Sequence, residues 1–187
     1  MKEKITLFWF RRDLRVDDNT GLYHALKDRG NVVPLFIFDS EIIDKLEDKR
    51  DKRISFIYDF VSKLKSEFEK HGSSLLIKFG KPVEVFEELL KHYEISAVYA
   101  NHDYEPYARE RDEEISKLLS EHKVDFKTFK DQVILEKSEV VKDDGNPYTV
   151  FTPYSRKWRN GLKKDHLTQH PSEKNLHKSY KTKPFDD

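Results

Sequence analysis

Ile5-Thr6-Leu7-Phe8-Trp9-Phe10-Arg11-Arg12-Asp13-Leu14-Arg15-Val16-Asp17-Asp18-Asn19-Thr20 is the stretch whose reading decides the fold. An apolar run from Ile5 to Phe10 stops abruptly at a turn carrying three arginines and three aspartates. A run of this length, rich in aromatic residues, reads as a strand buried on both faces and therefore central in a sheet. The turn that leaves its C-terminal end is where open parallel sheets place ligands.

Working outward, the same kind of pattern recurs. Residues 32–38, 75–79, 95–100 and 124–129 read as four further strands. Helical spacing separates them: 21–29 with Leu22, Ala25 and Leu26 on one face, 52–71 with Ile57, Phe60, Val61, Leu64 and Phe68, a helix opening at Pro82, and 107–122. A short helix around Ile42, Ile43 and Leu46 is expected within 39–51. Strands alternating with helices predict a parallel sheet with right-handed crossovers. The first, second and fourth runs are continuously apolar, so they are central. The third carries Lys78 and the fifth alternates apolar with polar, so they are edges. The predicted fold class is therefore α/β: a doubly wound, Rossmann-like five-stranded parallel sheet of order 3-2-1-4-5, with helices on both faces. Its topological switch lies between strands 1 and 4, whose exit loops, 11–19 and 101–107, should face each other across a crevice.

Residues 1–130 are expected to form this core, and 131–162 an extension packed on it, with a basic helix over 152–162. Residues 163–187, rich in Lys, His and Ser, read as an interdomain connector, poorly ordered and without a core of its own.

Lys plus Arg and Asp plus Glu both number 35 in the 187 residues, which argues against the domain as a whole being a nucleic-acid binder. Absence of cysteine excludes disulfides, thiolate catalysis and cysteine-ligated metals. No run is long enough to span a bilayer and no signal-like segment opens the chain, so a cytoplasmic protein with no membrane partner is expected. The six glycines form no phosphate-binding loop. Only His166 and His170 have ligand-like spacing, in a polar tail, and no metal site is assigned. No nucleophile–base pair is visible, so no catalytic residue is assigned either.

Three segments carry more specific chemistry. Phe10-Arg11-Arg12-Asp13-Leu14-Arg15 with Asp17, Asp18 and Asn19 is either a solvated, self-paired turn or a ligand wall. In 101–112, Arg109, Glu110, Arg111 and Asp112 read plainly as a solvated helix face, while Asn101, Asp103 and Glu105 sit at the switch point. There, acceptors could orient a polar heterocycle. Asn146-Pro147-Tyr148-Thr149-Val150-Phe151-Thr152-Pro153-Tyr154 reads as an aromatic loop.

In this order and at these spacings, the three segments resemble the N-terminal domain of the DNA photolyase and cryptochrome family, over about residues 5–162. The resemblance implies light-driven repair of pyrimidine dimers in DNA, or blue-light sensing. It places the FAD and most of the lesion-binding surface in a C-terminal helical domain, expected to be absent because the chain stops in the connector. That domain, and damaged DNA through it, would be the partners. This half would bind an antenna pigment and brace the flavin domain. Carried over residue by residue, the pigment cleft would use Arg12, Asp13, Phe38, Asp39, Arg53, Asn101, Asp103 and Glu105. Folate-using bacterial members carry Asn-Glu where this chain has Tyr107-Ala108, which favours FMN, a deazaflavin or an empty cleft over folate. A stand-alone nucleotide-binding α/β protein and a purely structural module remain as alternatives.

Overall fold

The computed structural model describes residues 4–47 and 51–185. Five parallel strands form one sheet in the order β3-β2-β1-β4-β5. They are β1 (Lys4–Phe10), β2 (Val32–Asp39), β3 (Leu76–Gly80), β4 (Glu94–Asn101) and β5 (Asp125–Phe129). The helices are α1 (Thr20–Asp28), α2 (Ser40–Ile43), α3 (Lys52–Lys70), α4 (Pro82–His92), α5 (Pro106–Glu121) and α6 (Phe151–Gly161). The expected order, edges and centre are all found. The short helix expected within 39–51 spans Ser40–Ile43 and leaves out Leu46.

Because side chains alternate along a strand, β1 feeds two cores. Ile5, Leu7 and Trp9 pack with Val85, Phe86 and Leu89 of α4 and Ile115 and Leu119 of α5. Phe8 and Phe10 pack with Leu22, Ala25 and Leu26 of α1 and Val61, Leu64 and Phe68 of α3. Trp9 is 2% exposed, its ring set edge-on to Phe86 at 5.1 Å.

A buried polar knot ties the exits of β1 and β4 together. Asn101 Nδ2 donates to Asp13 Oδ2 at 2.6 Å and to Asn19 Oδ1 at 2.8 Å, and the Gly21 amide donates to Asn101 Oδ1 at 2.8 Å. Asn19 also caps α1, accepting from the Leu22 amide. Residue 21 has to be glycine, because a Cβ there would lie 2.7 Å from Asn101 Oδ1 and 2.9 Å from Phe8 Cε2.

The segment read from sequence as a loose connector docks instead on the sheet. A 3-10 helix over Ser172–Lys178 lies along α1 and buries Leu176, which is 1% exposed, between α1 and α3. Ser172 Oγ accepts from the Asn19 amide, and the Tyr180 amide donates to the Val32 carbonyl. The physical reason is that one leucine at the right place joins a core already built, so the segment needs none of its own. By contrast, α6 buries none of its residues, and Phe151 is 77% exposed.

Three outcomes follow from this packing. Replacing Asn101 by Ala strands the Gly21 amide and takes one of its donors from the Asp13 carboxylate, and should lower unfolding free energy by about 3 kcal/mol in urea titration. Leu176→Ala should cost about 2–4 kcal/mol by the same measurement if the segment is docked; a change under about 0.5 kcal/mol would show it is not. His24 stacks on Phe129 at 4.7 Å and sits 5.7 Å from the His170 ring. Burial first, with His170 adding to it and Asp28 opposing, holds its pKa below 6.5. The unfolded chain therefore binds this proton more readily, so stability should fall as pH drops below about 6.5. His24→Gln should flatten that fall in melting temperature between pH 7 and 5.

Candidate functional site

A cleft of about 390 Å³ opens at the C-terminal edge of the sheet, beside the switch point. β1 delivers its floor, Trp9, and one wall, Arg11 and Arg12. β2 ends there with Phe38 and Asp39, α2 adds Ile42 and Ile43, and the first turns of α3 add Arg53, Ile54 and Ile57. The β4 exit loop contributes Asp103 and Glu105, and the first turns of α5 contribute Tyr107, Ala108 and Arg111. One side is thus aliphatic and aromatic, and the other interleaves guanidiniums with carboxylates.

Of the eight residues taken from sequence, six line this cleft: Arg12, Phe38, Asp39, Arg53, Asp103 and Glu105. Asp13 and Asn101 do not. They are 6% and 3% exposed and belong to the knot beneath the loops. A sequence pattern of polar residues at a strand exit marks both kinds of position alike, because a buried Asn that satisfies backbone donors looks like one aimed at a ligand.

The charged side chains hold one another. Arg12 pairs with Glu105 at 2.5 Å and lies 3.9 Å from Asp103, which joins the two exit loops across the crevice. The Glu105 hydrogen bond, with the nearby carboxylates, raises the Arg12 pKa against partial burial. Asp39 caps α2 by accepting from the Glu41 amide and accepts the Tyr107 hydroxyl at 2.7 Å. Burial and then the Asp39 hydrogen bond push the Tyr107 phenol well above its ordinary range, so it remains a neutral donor. Arg53 is more exposed and is clamped to Asp51, whose carboxyl it draws down to about 2.

Arg111 was read as part of a solvated helix face and is instead buried, at 7% exposed. Its guanidinium lies over the Trp9 ring at 4.8 Å and over Tyr107 at 5.7 Å. It is also 3.1 Å from Asp112, 3.7 Å from Asp39 and 4.0 Å from Asp103. The signal was present in its spacing: Arg111 follows Ala108 by three and precedes Ile115 by four, in line with the helix's buried stripe.

A wider hollow of about 800 Å³ lies on the other side of the 102–104 loop, over α5 and β5. Its walls combine Arg109, Glu113, Ser116 and Thr128 with the aromatic Tyr104 and Phe126, and no aliphatic side chain lines it. Among the described residues no helix is long and apolar enough to cross a membrane.

Residues 6–174 match the family model described as DNA photolyase. The deoxyribodipyrimidine photo-lyase of Synechococcus sp. (strain ATCC 27144) is 31% identical over 82% of this chain and 31% of its own length. An archaeal photolyase from Sulfolobus tokodaii, solved with two FAD molecules, superposes with a TM-score of 0.73 at 31% identity, over 83% of this chain and 34% of that one. A class III photolyase from Agrobacterium tumefaciens gives a TM-score of 0.78 at 25% identity, over 92% and 35%. The chain spans about a third of the length of these photolyases. With its sheet order, its switch-point cleft and a family match running nearly end to end, the chain belongs to the DNA photolyase and cryptochrome family, whose N-terminal α/β domain it matches.

Proposed function

We propose that the chain serves as the antenna-pigment domain of a deoxyribodipyrimidine photolyase, acting in light-driven repair of pyrimidine dimers in DNA. The observation that carries this reading is the cleft itself: a slot at the switch point with isoleucines and Phe38 on one side and fixed carboxylates and arginines on the other. The apolar side suits a planar heteroaromatic ring, and Asp103 and Glu105 suit the hydroxyl and N–H groups of its substituents. A bound pigment would supply absorption of light and pass the excitation on. The chain's own residues hold and orient the ring and exclude water.

FMN or a deazaflavin is favoured over folate. Tyr107 is already committed to Asp39, and Ala108, 3% exposed, offers no functional group. FAD and damaged DNA are assigned to a C-terminal helical domain, the proposed partner, and the location to the cytoplasm. Residues 1–130 would be the pigment-binding core, 131–162 its extension and 163–187 the connection to that domain.

Titration of the protein with FMN, with an 8-hydroxy-5-deazaflavin and with methenyltetrahydrofolate, followed by fluorescence anisotropy, checks the assignment. One of the first two should bind and the folate should not. Asp103→Ala should weaken the bound pigment about tenfold, the loss of one charge-assisted hydrogen bond. Failure of all three pigments to bind would remove the antenna role.

A further inference from the structure

Away from the cleft, Thr128 Oγ1 lies 3.1 Å from His102 Nε2, and His102 Nδ1 lies 2.7 Å from Glu136 Oε1. A carboxylate can only accept, so Nδ1 carries the hydrogen of the neutral ring and Nε2 is left as the acceptor. The threonine hydroxyl then donates to Nε2. Hydroxyl, imidazole and carboxylate thus stand in the order and tautomer by which a hydroxyl is activated as a nucleophile. Thr128 and His102 both line the hollow of about 800 Å³ over α5 and β5, and Thr128 is exposed there.

Each member is fixed by the backbone around it. His102 follows β4, and its amide donates to the Phe129 carbonyl at 2.6 Å, beside Thr128 on β5. The Glu136 amide donates to Glu139 Oε2 at 2.6 Å, and Lys130 Nζ holds that same oxygen at 2.7 Å. The Glu136 side chain is 10% exposed, so its bond to the ring is largely shielded from water. The members lie 26 and 34 positions from His102, on three different segments, so no sequence motif marks them.

The hollow also holds the groups that an ester needs. Tyr104 and Phe126 offer aromatic surface to its acyl or alcohol part. Arg109 lines the hollow, and its side chain has no partner among the described residues. The carboxylates near it are taken: Asp112 by Arg11 and Arg111, and Glu113 by Lys117. A cation left free in such a place is available to a developing oxyanion.

We infer that Thr128, His102 and Glu136 form a second functional site, an acyl-transfer triad that hydrolyses small carboxylic esters. Thr128 Oγ1 attacks the ester carbonyl carbon as its proton passes to His102 Nε2. The bond to the alcohol oxygen breaks, His102 returns the proton to that oxygen, and an acyl-threonine remains. Water adds to it with His102 again taking the proton, and the carboxylic acid leaves Thr128 free. Glu136 is a positioning residue, holding the ring and its tautomer. None of the three lines the antenna cleft, so the inference stands apart from the pigment reading.

The experiment gives the full chain 4-nitrophenyl acetate and follows release of nitrophenolate, with the protein digested and weighed after rapid acid quenching. The peptide carrying Thr128 should gain one acetyl group, a result that needs no substitution. Thr128→Val and His102→Gln should each slow nitrophenolate release by about a hundredfold, and Thr128→Ser should keep the adduct. Glu136→Gln should lower kcat by a similar factor with KM little changed. In the same variant the His102 Nδ1 proton, far downfield in the natural protein, should move upfield, which loss of an unrelated contact would not produce. Acetyl groups on lysines or on imidazole but not on Thr128, or release at the natural rate by Thr128→Val, would overturn the site.

Discussion

The buried contact among Asp13, Asn19 and Asn101 is the constraint on which the functional end of the molecule depends. β1 and β4 are neighbours, but the helices that follow them pack on opposite faces, so their exit loops diverge at the switch point. Something has to close that gap below the ligand level. Asn101 does so by meeting a carboxylate, a helix cap and the Gly21 amide at once. Satisfied donors and acceptors in a low-dielectric site are rigid, since losing any one strands the others. The loops above the knot therefore start from fixed points, and Arg12 can reach Glu105 across the crevice without either loop being ordered by a ligand.

On this base the cleft is built from charges that neutralise one another. Each guanidinium has a carboxylate partner, and Asp112 serves two of them, Arg11 and Arg111. Such an arrangement does not attract a ligand by net charge. It fixes the direction in which each donor and acceptor points, which gives specificity more than affinity. The two guanidiniums against Trp9 extend this logic downward, because a planar cation packs against an indole while its edge hydrogen bonds stay free for other groups.

Much of this architecture could be read from the chain because it is written in periodicity. The unbroken apolar character of 5–10, against the alternation of 124–129, distinguishes centre from edge, and the order of strands follows. Phe38 and Asp39, at the end of a central strand, entered through the family resemblance and not through any pattern of their own, and both line the cleft. The site was not legible where one residue type has two uses. Asn101 and Asp13 look like ligand acceptors but satisfy backbone and side-chain donors inside the fold. Arg111 looks like surface charge, and only its phase on α5 shows otherwise. Leu176 went unread for a related reason: a single leucine in a polar tail has no period, and its burial depends on a groove between α1 and α3 formed by residues a hundred positions away.

The first turns of α5 form one side of the cleft. Pro106 fixes the start of the helix, and from that point Tyr107 meets Asp39, Arg111 lies over Trp9, and Ala108 lines the cleft between them. A longer acidic side chain at position 108 would have to enter a site that leaves Ala108 only 3% exposed. It would also stand on the helix turn already flanked by Asp39 and Asp103, where a further buried carboxylate meets like charge. The proposed preference for a flavin or deazaflavin over a folate thus has a physical basis in this chain. The arginine that could have neutralised a glutamate there is already shared among three aspartates.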